Sequence, residues 1–174
     1  KNKNFDFIKD LKISPILLHF DEKWIKGSYI NNYETIEPNI EELKEFLKKI
    51  IEKSNKDIII TTGIETNKLL ESLKRSYKNI NSKTFYKNEG KKNIFLLIDS
   101  TFLDLKYLIL NSDKVISCHG SVTHLSAAMN KSIIDIYEKN EELFYKKWNA
   151  HFRKYKYIYR KNFKDLSHEI LDLL

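Results

Sequence analysis

The segment from residue 114 to residue 137 limits the fold more strongly than any other part of the chain, and it reads KVISCHGSVTHLSAAMNKSIIDIY. Residues 115–118 and 132–137 are short runs rich in apolar and β-branched side chains, which are typical of buried strands. Between them, apolar side chains recur at the three- and four-residue spacing of one helix face. A strand, a glycine turn, a helix and a second strand form a βαβ unit, whose two strands run parallel because a helix crosses between them.

The turn between the first strand and the helix is the chemically informative part of this unit. A helix that starts directly after a strand points its unpaired N–H groups and the positive end of its dipole toward the carboxyl edge of the sheet, where an anion can bind. Gly120 permits a close approach of a ligand, and Ser121 or Thr123 can cap the helix or hydrogen-bond a phosphate oxygen. His119 and His124 flank the turn and can donate to the same anion. Alternatively, the turn is plain architecture, with Ser121 or Thr123 as the N-cap and both histidines structural.

The same alternation of strands and helices continues along the chain. Further strands are predicted at residues 13–20, 57–62, 93–99 and 155–160, and helices at 39–53, 65–77, 102–111, 141–151 and 163–174. The sequence therefore predicts an α/β fold with a doubly wound, mostly parallel, six-stranded Rossmann-like sheet, in which residues 155–160 form an edge strand. Residues 1–12 are predicted to be a linker or the tail of a preceding element, and residues 13–174 one domain.

Composition adds few constraints. The chain has 174 residues, a formal net charge of +7 and one cysteine. This length suffices for a sizeable core, and no apolar run approaches the ~20 residues that cross a bilayer. The positive charge favours phosphates or an anionic membrane surface as partners, or it reflects a compositional preference for lysine; lysines occur in every segment, which favours the second explanation. Cys118, alone in a predicted strand, indicates a core position, and a single cysteine fits a reducing cytoplasm.

A second informative feature is the loop after the first predicted strand, which reads HFDEKW at residues 19–24. The carboxyl ends of parallel strands meet at one edge of a sheet, so we expect this loop to face the turn at Gly120 across one crevice. The Lys23 ammonium is a suitable point charge for a diphosphate. Alternatively, the loop is an exposed, charged connection in which Trp24 serves as a packing anchor.

These two features resemble motifs of one enzyme family. The stretch HGSVTHLSAAMNKSIIDIY is similar to the donor-site segment of the heptosyltransferase-like glycosyltransferases (glycosyltransferase family 9), which reads roughly D-T-G-x-[ST]-H-x-A-A-A-x-x-x-P-x-x-x-[IL]-[FY]. Lys23 and Trp24 match the Lys-Trp element that the family carries after the first strand of the same half. Three positions differ: His119 stands at the aspartate position, Gly120 and Ser121 exchange the order of glycine and hydroxyl residue, and Ser132 replaces the proline.

The resemblance implies that the chain is the C-terminal, donor-binding half of a GT-B fold. It implies a metal-independent glycosyltransferase without a cofactor, which transfers a sugar from a nucleotide-diphosphate sugar to a glycan or lipopolysaccharide-type acceptor. The implied diphosphate-binding residues are Lys23, Gly120, Ser121, Val122, Thr123 and His124, with His119 and Trp24 as further donor-site candidates. The acceptor site and the catalytic carboxylate base would belong to an N-terminal half, so this chain would be inactive alone. A cytoplasmic location at the inner face of a membrane would follow.

Other chemistries have weaker support in the sequence. His19, Asp21, Glu22, His119 and His124 could form a metal site, but no compact ligand spacing is present. A hydrolase triad of Ser121, His124 and Asp99 lacks the G-x-S-x-G elbow, and neither the dinucleotide fingerprint nor the P-loop motif occurs.

Two rival functions remain open at the level of sequence. A sugar-nucleotide epimerase on the same fold would need acid and base carboxylates, for which Asp21, Glu22 and Glu138 are the candidates. A basic nucleic-acid-binding module could use the aromatic and basic stretch at residues 148–161, WNAHFRKYKYIYRK. The same alternation also fits a strand whose tyrosines form one buried face, and this second interpretation is favoured.

Overall fold

A computed structural model describes residues 11, 13–25, 36–63 and 67–174 of the chain. The predicted tail at residues 1–12 therefore lies almost entirely outside the described residues. The beginning of the helix predicted at 65–77 and most of the loop that follows Trp24 lie outside them as well.

The described residues form eight strands, six α-helices and two short 3₁₀ turns in alternation. The strands are β1 (Ile16–Phe20), β2 (Ile58–Thr62), β3 (Lys78–Asn81), β4 (Thr84–Glu89), β5 (Lys92–Leu97), β6 (Lys114–Cys118), β7 (Ser132–Tyr137) and β8 (Tyr155–Tyr159). The helices are α1 (Ile40–Ser54), α2 (Lys68–Ser76), α3 (Phe102–Asn111), α4 (Ser121–Ala128), α5 (Glu142–Asn149) and α6 (Phe163–Asp172). The 3₁₀ turns are Glu22–Trp24 and Lys139–Glu141.

All strands belong to one sheet, in the order β3-β4-β5-β2-β1-β6-β7-β8. From β5 to β8, every neighbouring pair is parallel. These six strands are the six that the sequence predicts, and their order is the 3-2-1-4-5-6 arrangement of doubly wound folds. The predicted fold class is confirmed. Chain direction along the sheet reverses between β1 and β6, which is where such folds open a crevice at the carboxyl edge.

The predicted strand count of six is wrong, because β3 and β4 add an antiparallel extension next to β5. Their sequences, KNIN and TFYKNE, are mostly polar, and only Thr84 and Phe85 in them are buried. An edge position leaves most of these side chains in solvent, so no apolar run marks the strands in the sequence. The opposite edge is β8, as predicted for residues 155–160.

The core lies in two layers, one on each face of the sheet. Leu18 belongs to the larger layer, which also contains the buried faces of α1 and α6, while its neighbour Leu17 belongs to the smaller layer beneath α3 and α4. Because successive strand residues point to opposite faces, β1 is buried on both sides. This position at the centre of the fold gives the loop after β1 a rigid base.

The helix starts fall close to the predicted positions, and most have a side-chain cap. Asn39 caps α1 in a reciprocal capping box with Glu42, and Thr101 does the same for α3 with Asp104. Helix α4 is different: it starts at Ser121, and its N-cap is Gly120, which makes no side-chain cap hydrogen bond, rather than Ser121 or Thr123. None of the helices in the described part of the chain is both long and apolar enough to span a membrane.

We expect Leu18→Ala to lower the free energy of unfolding by ~2–5 kcal/mol, because this fully buried side chain of β1 leaves a cavity at the centre of the sheet. The matched control is Leu103→Ala on α3, which removes a 72% exposed side chain and should change stability by less than ~0.5 kcal/mol. Urea unfolding followed by circular dichroism measures both variants. Equal losses in the two variants would contradict the central position of β1.

Candidate functional site

A cleft of about 670 Å³ opens at the carboxyl edge of the sheet, beyond the ends of the paired strands β1 and β6. Its walls come from four loops, which follow β1, β2, β5 and β6. The volume lies within the range of small-molecule binding sites. Five of the predicted binding and candidate residues line this cleft: Lys23, His119, Gly120, Ser121 and Val122.

The Lys23 ammonium lies directly against the Gly120 backbone. A Cβ atom added at position 120 would be only 2.5 Å from Nζ of Lys23, so glycine leaves the room that the ammonium occupies. Gly120 is the N-cap of α4, and the first N–H groups of an α-helix have no partner within the helix. The structure thus brings a lysine charge and the positive end of a helix dipole to the same wall of the cleft.

Asp21 holds Lys23 in this position. One oxygen of the Asp21 carboxylate accepts a hydrogen bond from the Lys23 amide at 3.2 Å and caps the 3₁₀ turn, while the other lies 3.2 Å from Lys23 Nζ. Burial works against the ammonium charge, but the carboxylates of Asp21 and Glu22 outweigh it, so the pKa of Lys23 is raised. The side chain is therefore a cation at neutral pH.

Arg160, which the sequence analysis did not assign to the site, fixes the same loop from behind. Its Nη2 donates to the Lys23 carbonyl oxygen at 2.6 Å, and its Nε lies 3.1 Å from the Glu138 carboxylate. Nη1 donates to the Cys118 sulfur at 3.4 Å. Arg160 directly follows β8 in an otherwise surface-like basic stretch, so its burial depends on strand pairing that no local pattern shows.

The Thr123 hydroxyl points away from the cleft. It is fully buried, donates to Oδ1 of Asp135 at 2.9 Å, and lies 3.1 Å from the Ser117 hydroxyl. A side-chain contact from Thr123 to a ligand in the cleft is therefore excluded in this conformation, and only its backbone amide belongs to the first turn of α4. Ser121, by contrast, is exposed and lines the cleft.

Asp135 organises the underside of the turn. Its carboxylate is fully buried, and Oδ2 lies 2.7 Å from Nδ1 of His119 and accepts a hydrogen bond from the Tyr155 hydroxyl at 2.8 Å. His119 thus lines the cleft with its Nδ1 held by Asp135. Sequence reasoning missed Asp135, although a lone carboxylate within the apolar strand SIIDIY is a recognisable signal of a buried polar network.

Trp24, one of the predicted donor-site candidates, does not line the cleft. The side chain is fully buried, stacks on Phe20 at a centroid distance of 4.9 Å, and donates from Nε1 to the His19 carbonyl oxygen at 3.0 Å. The alternative interpretation of a packing anchor is the one that the structure supports. A large indole next to the central strand gains more from core burial than from exposure.

His124 lies beside the cleft rather than in it. The side chain is exposed on α4, and its ring contacts the rings of His119 at 5.1 Å and Phe152 at 5.4 Å. Desolvation and the neighbouring His119 lower the pKa of His124. Its contact with Phe152, which follows α5, places the ring of His124 outside the set of side chains that line the cleft.

The remaining candidates are only partly assembled. Asp21 and Glu22 line the cleft, but Glu138 pairs with Arg160. Ser121 and Asp99 line the cleft while His124 does not, so the hydrolase triad is not formed. Within the described ranges, no group of three or more His, Cys, Asp or Glu side chains is arranged to hold a metal ion.

Comparison with known proteins shows the fold and leaves the family open. No protein-family profile matches the chain, and no curated protein sequence matches it. Escherichia coli ADP-heptose LPS heptosyltransferase II is similar in structure, with a TM-score of 0.58, 12% identity, and coverage of 99% of this chain and 50% of that chain. Methanocaldococcus jannaschii UDP-GlcNAc 2-epimerase in complex with UDP-GlcNAc and UDP has a TM-score of 0.57, 17% identity, and coverage of 98% and 42%. Both have Rossmann-like folds of the GT-B type, and this chain spans half of their length or less.

Proposed function

We propose that this chain is the donor-binding half of a metal-independent GT-B glycosyltransferase of the heptosyltransferase-like kind, and that its cleft binds the diphosphate of a nucleotide-sugar. One observation carries the proposal: the Lys23 ammonium lies against Gly120 at the N-terminus of α4. Two independent sources of positive potential therefore meet where the sequence resemblance expects a diphosphate.

The chemistry of this arrangement suits the departure of a nucleoside diphosphate. When a sugar is transferred, negative charge grows on the leaving diphosphate, and preorganised N–H groups and cations stabilise that charge without a metal. Gly120 and the amides of the first turn would contact the phosphates, the Ser121 hydroxyl would add a donor, and Lys23 would neutralise charge. His119 faces the same space with its ring oriented by Asp135.

The structural neighbours support the class of ligand and the need for a second half. The epimerase structure contains UDP-GlcNAc and UDP, and the name of the heptosyltransferase specifies ADP-heptose. Because this chain spans half of either protein or less, we propose that an N-terminal half supplies the acceptor site and the catalytic base. The isolated chain would then bind donor without transferring sugar to a glycan or lipopolysaccharide-type acceptor. We further propose that it acts in the cytoplasm.

An epimerase-like activity is the second candidate, and one observation favours it. The carboxylates of Asp21 and Glu22 line the cleft, where acid and base groups would be needed. Asp21 already holds Lys23, which makes it a positioning residue in the first proposal. Incubation with UDP-GlcNAc, followed by nuclear magnetic resonance of the sugar, separates the two candidates, since only an epimerase produces a second sugar.

We expect Lys23→Met to weaken the binding of ADP and UDP by at least about ten-fold, because it removes one charge-assisted contact and keeps the length of the side chain. Isothermal titration calorimetry measures the affinity. Lys106→Met is the matched control, since Lys106 is an exposed lysine on α3 outside the cleft lining, and it should bind like the unmodified chain. Equal affinities of the unmodified chain and both variants would contradict diphosphate binding at Lys23.

We expect Gly120→Ala to lower diphosphate affinity while the free energy of unfolding changes by less than ~1 kcal/mol. The added methyl group displaces only the flexible end of Lys23, which costs little in the folded state, but it moves the ammonium and narrows the approach to α4. The same titration, together with urea unfolding, gives both quantities. A large loss of stability with intact affinity would reverse this interpretation.

Thr123→Val provides the complementary result. It removes the buried hydroxyl that donates to Asp135, so stability should fall by ~1–3 kcal/mol, while affinity per folded molecule should change by less than about three-fold. A loss of affinity as large as that of Lys23→Met would show that the hydroxyl reaches the ligand.

A further inference from the structure

The positive charge of the chain is concentrated in one segment. Residues 139–161 contain eight Lys or Arg and two Glu, a formal charge of +6 out of +7 for the whole chain. Lysines do occur elsewhere, but acidic residues balance them almost completely. The segment includes α5 and the edge strand β8, so this charge lies at one end of the sheet. Arg160 is the exception, because it is buried and paired with Glu138, and it does not belong to the exposed surface.

Helix α5 exposes large apolar side chains within this basic segment. Leu143 is 86% exposed, Phe144 59% and Trp148 56%. The opposite side of the helix is buried: Tyr145 packs on His119 at a centroid distance of 4.2 Å and on Tyr137 at 4.7 Å. The helix is therefore firmly seated, and its outward face combines Leu143, Phe144 and Trp148 with Lys147.

We propose that the outward face of α5 (Leu143, Phe144, Lys147 and Trp148), together with the basic residues Arg153 and Lys154 in the connection to β8, binds an anionic phospholipid bilayer. Lysines and arginines attract the negative lipid surface, and exposed Leu, Phe and Trp side chains insert at the boundary between headgroups and acyl chains. This inference rests on charge and exposure at the α5–β8 surface and is independent of what the cleft binds.

A bilayer suits this surface better than nucleic acid. The most exposed apolar residue, Leu143, has no π-face on which a base could stack, whereas it can insert between lipids. The tyrosines of β8 are not the buried face that the sequence favours, since Tyr155 and Tyr159 are half-buried and Tyr157 is 36% exposed. Tyr157 nevertheless stacks on Tyr137 at 5.2 Å, and the Tyr155 hydroxyl donates to Asp135. The basic residues alone would attract either polyanion, so the apolar residues decide between them.

The position of α5 gives the surface a functional consequence. Tyr145 on its inner side touches His119, which lines the cleft. A bilayer bound to the outer side would therefore lie about one helix diameter, ~10 Å, from that wall of the cleft. This consequence, unlike the membrane binding itself, rests on the proposed function: for a glycosyltransferase, such a placement favours an acceptor that is itself anchored in the membrane.

The two tryptophans of the chain allow a direct test. Trp24 is fully buried and Trp148 is exposed, so a change of emission on membrane binding reports on α5. The whole chain is titrated with vesicles of phosphatidylcholine alone and with vesicles that also contain phosphatidylglycerol. We expect sedimentation and a blue shift only with the anionic vesicles, weakened by added salt. Trp148→Phe should abolish the blue shift.

Matched variants separate insertion from general charge attraction. Leu143→Ser combined with Phe144→Ser should lower vesicle partitioning about ten-fold, because two inserting side chains are lost. Phe102→Ser combined with Leu103→Ser removes an equally exposed pair from α3 and should leave partitioning unchanged. Lys147→Glu combined with Lys154→Glu should abolish the preference for anionic vesicles. Thermal unfolding checks that each variant is folded.

Three results would overturn the proposal. The first is binding of single-stranded oligonucleotides without binding of vesicles. The second is vesicle binding that neither shifts the Trp148 emission nor responds to Leu143→Ser and Phe144→Ser, which would mean adsorption by charge alone. The third is concentration-dependent dimerisation, seen by ultracentrifugation, that these two changes abolish while vesicles remain unbound. None of these experiments contains a nucleotide diphosphate or a nucleotide-sugar. A negative result for membrane binding therefore does not test the proposed donor site.

Discussion

The central position of β1 is the constraint on which the rest of the structure depends. The strand pairs with β2 on one side and β6 on the other, and both of its faces are buried. Two neighbouring strands and two packed faces fix the position of β1. They therefore also fix where the loop after β1 begins relative to the turn after β6. The crevice between these two connections is therefore a property of the sheet, and the side chains around it are placed by strand order.

Two buried carboxylates, Asp21 and Asp135, orient the side chains around that crevice. Asp21 orients Lys23 in front of the first turn of α4, while Asp135 holds His119 and Thr123 beneath it. A buried carboxylate is destabilising unless donors satisfy it. Lys23 satisfies Asp21, and His119, Thr123 and Tyr155 satisfy Asp135. Arg160 links the two parts by joining the Lys23 carbonyl to the end of β8. Buried carboxylates therefore orient the Lys23 and His119 side chains that line the cleft.

The two faces of α5 have different surroundings. One side of α5 belongs to the structure around His119, and the other side exposes apolar and basic residues. A short helix can have both properties because its two faces are about half a turn apart. The excess positive charge of the chain follows this outer surface rather than the cleft, where the described acidic residues Asp21, Glu22 and Asp99 accompany Lys23.

The sequence by itself determined the fold class, the six parallel strands, the position of α1 and the glycine turn before α4, because each depends on a local pattern of apolar spacing or on one residue with special backbone freedom. It also placed Lys23 and Gly120 together, since parallel strands end at one edge. Only the tertiary structure decided that Trp24 is core, that the Thr123 hydroxyl points inward, that β3 and β4 extend the sheet, and that Asp135 and Arg160 support the turn. Those outcomes depend on which strands become neighbours, and on which face of each element is covered, and neither is encoded in a window of a few residues.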